Sequence, residues 1–204
     1  MTFVLGLTGS IGMGKSATAA IFRRLGVPVH DADAAVHALY RGPAAPLIEA
    51  AFPGTVADGV VDRAALGRVV LGSPERMKQL EDIVHPLVRA QEEAFLARAV
   101  ASGASVAVLD IPLLLETCAQ GRCDAILVVT APGPVQEERV LARADMTREK
   151  FEAIRLKQMP DAEKRRRAHF LVETGRGHAA AEAQVRDILK ALAGRPGRVL
   201  AERG

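Results

Sequence analysis

Apolar positions along the chain follow two periods. Five stretches run apolar at strand length: residues 3–7, 27–33 ("VPVHDAD"), 105–112 ("SVAVLDIP"), 125–130 ("AILVVT") and 169–174 ("HFLVET"). Between them the apolar residues recur at helical spacing, as in Ala20, Ile21 and Leu25, or Met77, Leu80 and Val84. Short buried runs separated by helical segments predict a parallel sheet covered on both faces, a three-layer α/β fold. Ligands of such sheets bind beyond the carboxyl ends of the strands. Asp31, Asp33 and Asp110 all fall there.

Two long interruptions break the alternation. Between residues 34 and 103 no strand pattern stands out, and the stretch reads as helical. Ser73-Pro74-Glu75 has the form of an N-cap, a proline at the first helical position and an acid in the first turn. His85-Pro86 is expected to end that helix and start the next, because a residue before proline is pushed out of the helical region. Residues 41–46 read as a loop, and 34–103 as a helical subdomain that recognises substrate. The second interruption, 134–167, carries Arg139, Arg143, Arg148, Arg155 and Lys157, then Lys164-Arg165-Arg166-Arg167. Met146, Thr147 and Phe151 there fit a hydrophobic staple around a threonine cap. Most of these charges are expected on a solvated helix face. The closing "GRPGRVLAERG" reads as a frayed tail.

The first strand passes straight into "GSIGMGKSATAAIFRRLG". Glycine has an entropic cost in ordered backbone, so three within six residues mark a chain that must bend where a Cβ would collide. Residues 16–25 then have helical spacing, with Gly26 as the C-terminal stop. Gly9 to Ser16 satisfies G-x-x-x-x-G-K-[ST] between a strand and a helix, the context of a phosphate-binding loop. Backbone N–H groups of the loop and helix N-terminus hold phosphate oxygens, Lys15 reaches the β- and γ-phosphates, and the Ser16 hydroxyl is the candidate Mg²⁺ ligand. A ligand-free turn would have no need of Lys-Ser at that spacing. The candidate ATP-binding residues are Gly9, Ser10, Ile11, Gly12, Met13, Gly14, Lys15, Ser16 and Ala17.

Composition narrows the partners. The chain has 204 residues, 49% hydrophobic, with a net charge of +3. That balance suits an anionic small molecule, while 3% aromatics and no Trp leave little for base stacking, against a nucleic-acid partner. No apolar run reaches membrane-spanning length, and the apolar N-terminus runs directly into the loop rather than into a leader sequence. Cys118 and Cys123 form neither a disulfide framework nor a zinc pattern, so a reduced, cytoplasmic protein is expected.

The acids refine the reaction. In extended backbone Asp31 and Asp33 would point to one side, roughly 7 Å apart, so one could accept a proton from an attacking hydroxyl and the other support Mg²⁺. Helix capping is the alternative for both, since "DADAAVHALY" also reads as a helix start. Asp110 reads either as a Walker-B-like acid or as a cap. Glu116 and His85 are weaker candidates, His85 reading more readily as structural. An arginine of 134–167, lying over the loop, could neutralise charge on a transferred phosphoryl group.

"LTGSIGMGKS", "VHDAD", "HPL" at 85–87, "DIPLLLE" and "RADMTREKFEAIRLKQ" occur in that order. Together they resemble the dephospho-CoA kinase family over nearly the whole chain, from residue 3 to about 192. The loop is generic; its combination with the other motifs is specific. The resemblance implies a fold like that of nucleoside monophosphate kinases: a P-loop core with a five-stranded parallel sheet (1–33, 104–133 and 168–204), a helical CoA-substrate-binding domain (34–103) and a lid (134–167). It implies transfer of the ATP γ-phosphate to the ribose 3′-hydroxyl of dephospho-CoA, with Asp33 as general base and Lys15 and Arg143 as catalytic cations, Arg139 standing second to Arg143. Two departures stand out. "AHFLVETGRG" places His169 and Thr174 where the family often has an acid and an amide, in a segment expected near the adenine. Met13 is bulkier than the small residue usual in the loop. Another small-molecule P-loop kinase, of the nucleoside monophosphate or gluconate type, is the nearest alternative. A GTPase would be expected to show N-K-x-D, which does not occur.

Overall fold

The computed structural model describes residues 2–200. In chain order the elements are β1 (Phe3–Thr8), α1 (Lys15–Arg24), β2 (Val29–Asp31), α2 (Ala32–Tyr40), α3 (Ala44–Ala51), β3 (Val56–Ala57), β4 (Val60–Val61), α4 (Arg63–Val70), α5 (Pro74–Ala101), β5 (Val106–Asp110), β6 (Ala125–Thr130), α6 (Gly133–Leu141), α7 (Arg148–Leu156), α8 (Asp161–Arg167), β7 (Phe170–Glu173) and α9 (His178–Leu192). The chain divides into two units, Met1–His30 with Ala99–Gly204, and Asp31–Arg98.

The first unit is built on a five-stranded sheet in the order β2-β5-β1-β6-β7. Strands β5 and β6 flank β1, both parallel to it, with Leu5 opposite Val108 on one side and Ala125 on the other. All residues of β1, β5 and β6 are buried, as strands covered on both faces must be. Leu5, Leu7, Phe22, Val108, Leu127 and Val185 belong to the core that joins this sheet to α1 and α9. Fully burying each such side chain stabilises the fold by about 1.5–3 kcal/mol. The five strands match the five apolar runs, and β1 with β5, β1 with β6 and β6 with β7 all pair in parallel.

The second unit has its own core, including Leu39, Ile48, Phe52, Leu66, Leu80 and Val84. Helix α3 begins at Ala44, inside the stretch 41–46 read as a loop, and the unit departs from the expected pattern in two further ways. A small antiparallel hairpin, β3 with β4, interrupts the helices. Its turn is Asp58-Gly59, both at positive φ (52° and 75°), the backbone that an Asp-Gly pair supplies to a two-residue hairpin loop. The second of these is α5, which runs unbroken through His85-Pro86. Proline removes one intrahelical bond and strains the preceding turn. Ile83, Val84, Leu87 and Val88, on both sides of Pro86, all pack on the same core and hold the two halves in line.

The tail departs as well. Asp124 Oδ1 accepts hydrogen bonds from the Arg198 and Val199 N–H groups (2.7 and 2.9 Å), while Oδ2 accepts from Val4 N–H at 2.7 Å. The described part of the closing stretch is therefore tied, through Asp124, to the start of β1. Residues 201–204 lie outside the described chain.

Candidate nucleotide-binding site

Strand β1 delivers the chain into the loop 9–14, and α1 begins at Lys15. Gly12 and Gly14 have φ of 77° and 93°. A Cβ on Gly12 would stand 2.5 Å from Val140 Cγ2 and 2.9 Å from the Gln136 carbonyl oxygen; one on Gly14 would stand 3.0 Å from Thr174 Oγ1. Both the handedness and the room exclude a side chain.

The residues between the glycines anchor the loop. Met13 is 3% exposed, and its sulfur accepts the Ala131 N–H at 3.1 Å. Its bulk is thus turned into the protein. The Met13 carbonyl accepts from Thr174 Oγ1 at 2.8 Å. The Ile11 N–H donates to Gln158 Oε1 at 3.0 Å, and its carbonyl accepts from Gln136 Nε2 at 2.7 Å.

Helix α1 starts with Gly14 as its N-cap, with no capping side chain and no acid in its first turn. Its first amides and the positive end of the helix dipole form an anion site. Lys15 Nζ lies 2.7 Å from Asp110 Oδ1 at the end of β5. The ammonium is thereby held at the loop–helix junction with Asp110 as its ion-pair partner. Ser16 is exposed on the first turn.

A cavity of about 230 Å³ adjoins the loop, lined among others by Gly12, Ala17, Arg139, Arg143, Thr174 and His178. The two arginines differ. Arg139 donates to Thr174 Oγ1 (2.8 Å) and to the Thr174 carbonyl (2.9 Å), so its guanidinium is committed to the wall. Arg143 lines the cavity from an exposed position just past α6. Of the two departures near the C-terminus, Thr174 faces this cavity. His169 sits at the other end of β7, where it exchanges hydrogen bonds with Ile126: Nδ1 accepts the Ile126 N–H at 3.1 Å, and the His169 N–H donates to the Ile126 carbonyl at 2.9 Å.

In the second unit, Asp31 is the N-cap of α2, accepting the Ala34 N–H at 2.9 Å. Asp33 is exposed in the first turn of that helix. The extended pairing of the two acids is therefore replaced by a cap and a helical acid. The capping favoured for Asp31 by its short side chain wins over a longer strand. His85 is exposed within α5. Two residues that hold the loop, Gln136 and Gln158, escape sequence reasoning, because nothing in a lone glutamine indicates which backbone amide it will meet. Lys164, expected on a solvated face, is completely buried, its Nζ 2.8 Å from Glu116 Oε1.

A glycine loop between the central strand of a parallel sheet and an uncapped helix, with Lys-Ser at its end, defines a P-loop nucleotide-binding protein. The comparisons with known proteins agree and go further. A family model for dephospho-CoA kinases matches residues 3–179, and the chain belongs to that family. It is 62% identical over 194 residues to a Mesorhizobium japonicum dephospho-CoA kinase, covering 95% of this chain and 98% of the relative. A Brucella abortus dephospho-CoA kinase is 55% identical over 193 residues, covering 95% and 96%. Among solved structures, a Thermus thermophilus protein superposes with a TM-score of 0.83 at 39% identity, covering 95% and 99%. A Campylobacter jejuni dephospho-CoA kinase shares the fold, with a TM-score of 0.63 at 22% identity over 94% and 97%. The chain is thus a kinase whose acceptor is an alcohol group.

Proposed function

We propose that this chain transfers the γ-phosphate of ATP to the ribose 3′-hydroxyl of dephospho-CoA, giving coenzyme A and ADP, the last step of coenzyme A synthesis. The observation that carries the reading is Lys15, set 2.7 Å from Asp110 at the junction of a glycine loop and an uncapped helix. Loop amides and the helix N-terminus bind the phosphates, and Lys15 neutralises charge on the β- and γ-phosphates. The adjoining cavity takes the nucleoside, with Thr174 and His178 in its wall. Arg143, unlike Arg139, is not spent on the wall and acts as the lid cation over the transferred group.

Mg²⁺ fits the oxygen donors here, the exposed Ser16 hydroxyl and the Asp110 carboxylate. Among the described residues no group of three or more His, Cys, Asp or Glu side chains could hold a metal. Mg²⁺ keeps several waters and relies on nucleotide phosphates, so it needs few protein oxygens. When bound it would supply positive charge that offsets the negative charge of the phosphates.

Asp33 accepts the proton of the attacking hydroxyl. A sugar hydroxyl is a weak nucleophile, and the loose phosphoryl transition state makes its orientation as important as its deprotonation. Asp33→Asn keeps size and cannot take the proton. Its kcat should fall by about 10²–10⁴-fold with Kd values for ATP and dephospho-CoA little changed. Retained kcat with lost ATP–Mg²⁺ affinity would make Asp33 a metal-supporting residue instead. The acceptor is tested by thermal shift with dephospho-CoA, AMP and gluconate, each beside an ATP analogue. Ligand-linked stabilisation grows with concentration over Kd, so stabilisation by gluconate or AMP alone would point to the other P-loop kinases. We place the protein in the cytoplasm. Cys118 is a free thiol, and no helix among the described residues is long and apolar enough to cross a membrane.

A further inference from the structure

Glu116 and Lys164 have no part in the chemistry above, yet they are costly to keep. Lys164 is 0% exposed, while Arg165, Arg166 and Arg167 beside it on α8 are exposed. Its Nζ lies 2.8 Å from Glu116 Oε1, and the Glu116 side chain is 15% exposed. Glu116 Oε2 has no hydrogen-bond partner, and Lys164 Nζ meets Glu116 as an ion pair without the angles of a hydrogen bond. Replacing such a pair by apolar side chains of similar volume is often neutral or stabilising. Stability alone therefore gives little reason for a buried lysine and glutamate here.

The other contact of Glu116 supplies a reason. The same Oε1 accepts the Met159 N–H at 3.0 Å. Met159 follows Gln158, whose own Oε1 accepts the Ile11 N–H of the phosphate loop at 3.0 Å. The orientation of that amide is unambiguous, because an N–H donor must face the oxygen and not the NH₂. A continuous series of contacts thus runs from α8 through Lys164, Glu116, Met159 and Gln158 to Ile11. At its far end the Ile11 carbonyl is held from α6 by Gln136. Ile11 is clamped at both its backbone groups, one residue before the bend at Gly12.

We propose that Glu116 and Lys164 are positioning residues for the phosphate loop: Lys164 holds Glu116, Glu116 holds the 158–159 backbone, and Gln158 sets the Ile11 amide and with it the shape of the loop around ATP. The proposal rests on the loop being the ATP site. It assigns no contact between either residue and substrate.

The test compares variants that separate charge from positioning. E116M/K164M removes both charges and the acceptor for the Met159 N–H. E116Q/K164M removes both charges but leaves an oxygen there. Q158M removes the acceptor for the Ile11 N–H directly. Steady-state kinetics and thermal melts are measured for each, for the combined Q158M/E116M/K164M chain and for Lys15→Met. Misplacement of a reacting group by an ångström can cost about 100-fold, so E116M/K164M and Q158M should each lose between about 10- and 100-fold in kcat/KM for ATP. KM for the alcohol acceptor should be unmoved. E116Q/K164M should recover most of the loss, and the combined variant should be no worse than Q158M alone, as for residues acting through one contact. A structural role alone would move the melts without this split. Wild-type kinetics in Q158M would overturn the proposal, even where E116M/K164M fails to fold. So would losses that multiply in the combined variant. Lys15→Met distinguishes the two levels: a fully active Lys15→Met removes the ATP site itself, whereas an inactive one beside an active Q158M removes only the positioning role.

Discussion

Thr174→Val tests how the loop is held. Valine replaces the hydroxyl with a methyl group of nearly the same shape, so packing is preserved and two short hydrogen bonds are lost, beside a 3.4 Å contact to the Thr130 carbonyl. One is donated to the Met13 carbonyl at 2.8 Å; the other is received from Arg139 Nη1 at 2.8 Å. The site is 6% exposed, so the Met13 carbonyl finds little water in exchange. A neutral bond contributes about 0.5–1.5 kcal/mol and one to a charged group about 1.5–3 kcal/mol. Arg139 is only half-buried and keeps its second bond, to the Thr174 carbonyl, so the low end applies to it. The sum is about 2 kcal/mol, which for a chain of this size lowers Tm by about 4–8 °C. If half of that loss falls on the bound loop, KM for ATP rises about fivefold, since every 1.4 kcal/mol is tenfold. KM for the acceptor should not move. Thr174→Ser keeps the hydroxyl and should restore ATP affinity. Thermal melts and a coupled ADP assay read both quantities. A Thr174→Val protein melting within a degree of wild type with unchanged KM for ATP would refute the reasoning.

Lys15→Met should lose kcat by about 10²–10³-fold, the usual cost of removing one stabilising donor; near-wild-type turnover in a coupled ADP assay would remove Lys15 from the site. Arg143→Ala should lower kcat more than it weakens ATP binding, as expected of a residue acting on closure. Arg139→Ala should instead act like Thr174→Val, on Tm and KM for ATP; the reverse pattern would exchange the two roles. Glu116 supplies a pH test. Burial pushes its carboxyl up, but Lys164 and the Met159 N–H outweigh this and hold it below the ordinary value of 4.5. A lowered folded-state value means the stabilisation is fully present above pH 4.5 and is lost as pH falls through the lower folded value. The Tm gap between wild type and Glu116→Gln should thus be constant above pH 4.5 and narrow below it; a gap that widens on acidification would show the sign to be wrong.

Much of the fold was legible because its signals are local. The five strands are runs of apolar residues that only a doubly covered sheet can bury, and all five form. Thr147 caps α7 through the Lys150 N–H, and Ser73 caps α5 through the Arg76 N–H, as their spacing indicates. What was missed depends on residues distant in the chain. Pro86 has the local chemistry of a helix break, but the core on both sides overrides it. Lys164 sits in a basic run and is buried because Glu116 meets it from across the fold. Asp58-Gly59 is a local hairpin signal, but flanking strands of only two residues each leave no alternation to mark them. Thr174 could be seen as a departure from the family pattern, but not as the residue that ties the loop to Arg139.

The loop itself shows why its glycines and its other residues are not interchangeable. Gly12 and Gly14 take positive φ and lie where a Cβ would collide, so they set the path of the backbone. Ile11 and Met13, alternating with them, receive the anchoring contacts: Gln158 and Gln136 on Ile11, Thr174 and the Ala131 N–H on Met13. A loop with glycines alone would lose much entropy each time it closed on phosphate. A loop anchored at alternate residues loses that entropy on folding, so its amides meet the nucleotide already arranged, and binding energy can go to the transferring group. The anchors come from α6, from the chain just past α7, from the end of β6 and from the end of β7. Substitutions far from ATP in sequence should therefore change ATP affinity through these few contacts, while substitutions on the exposed faces of the same helices should not.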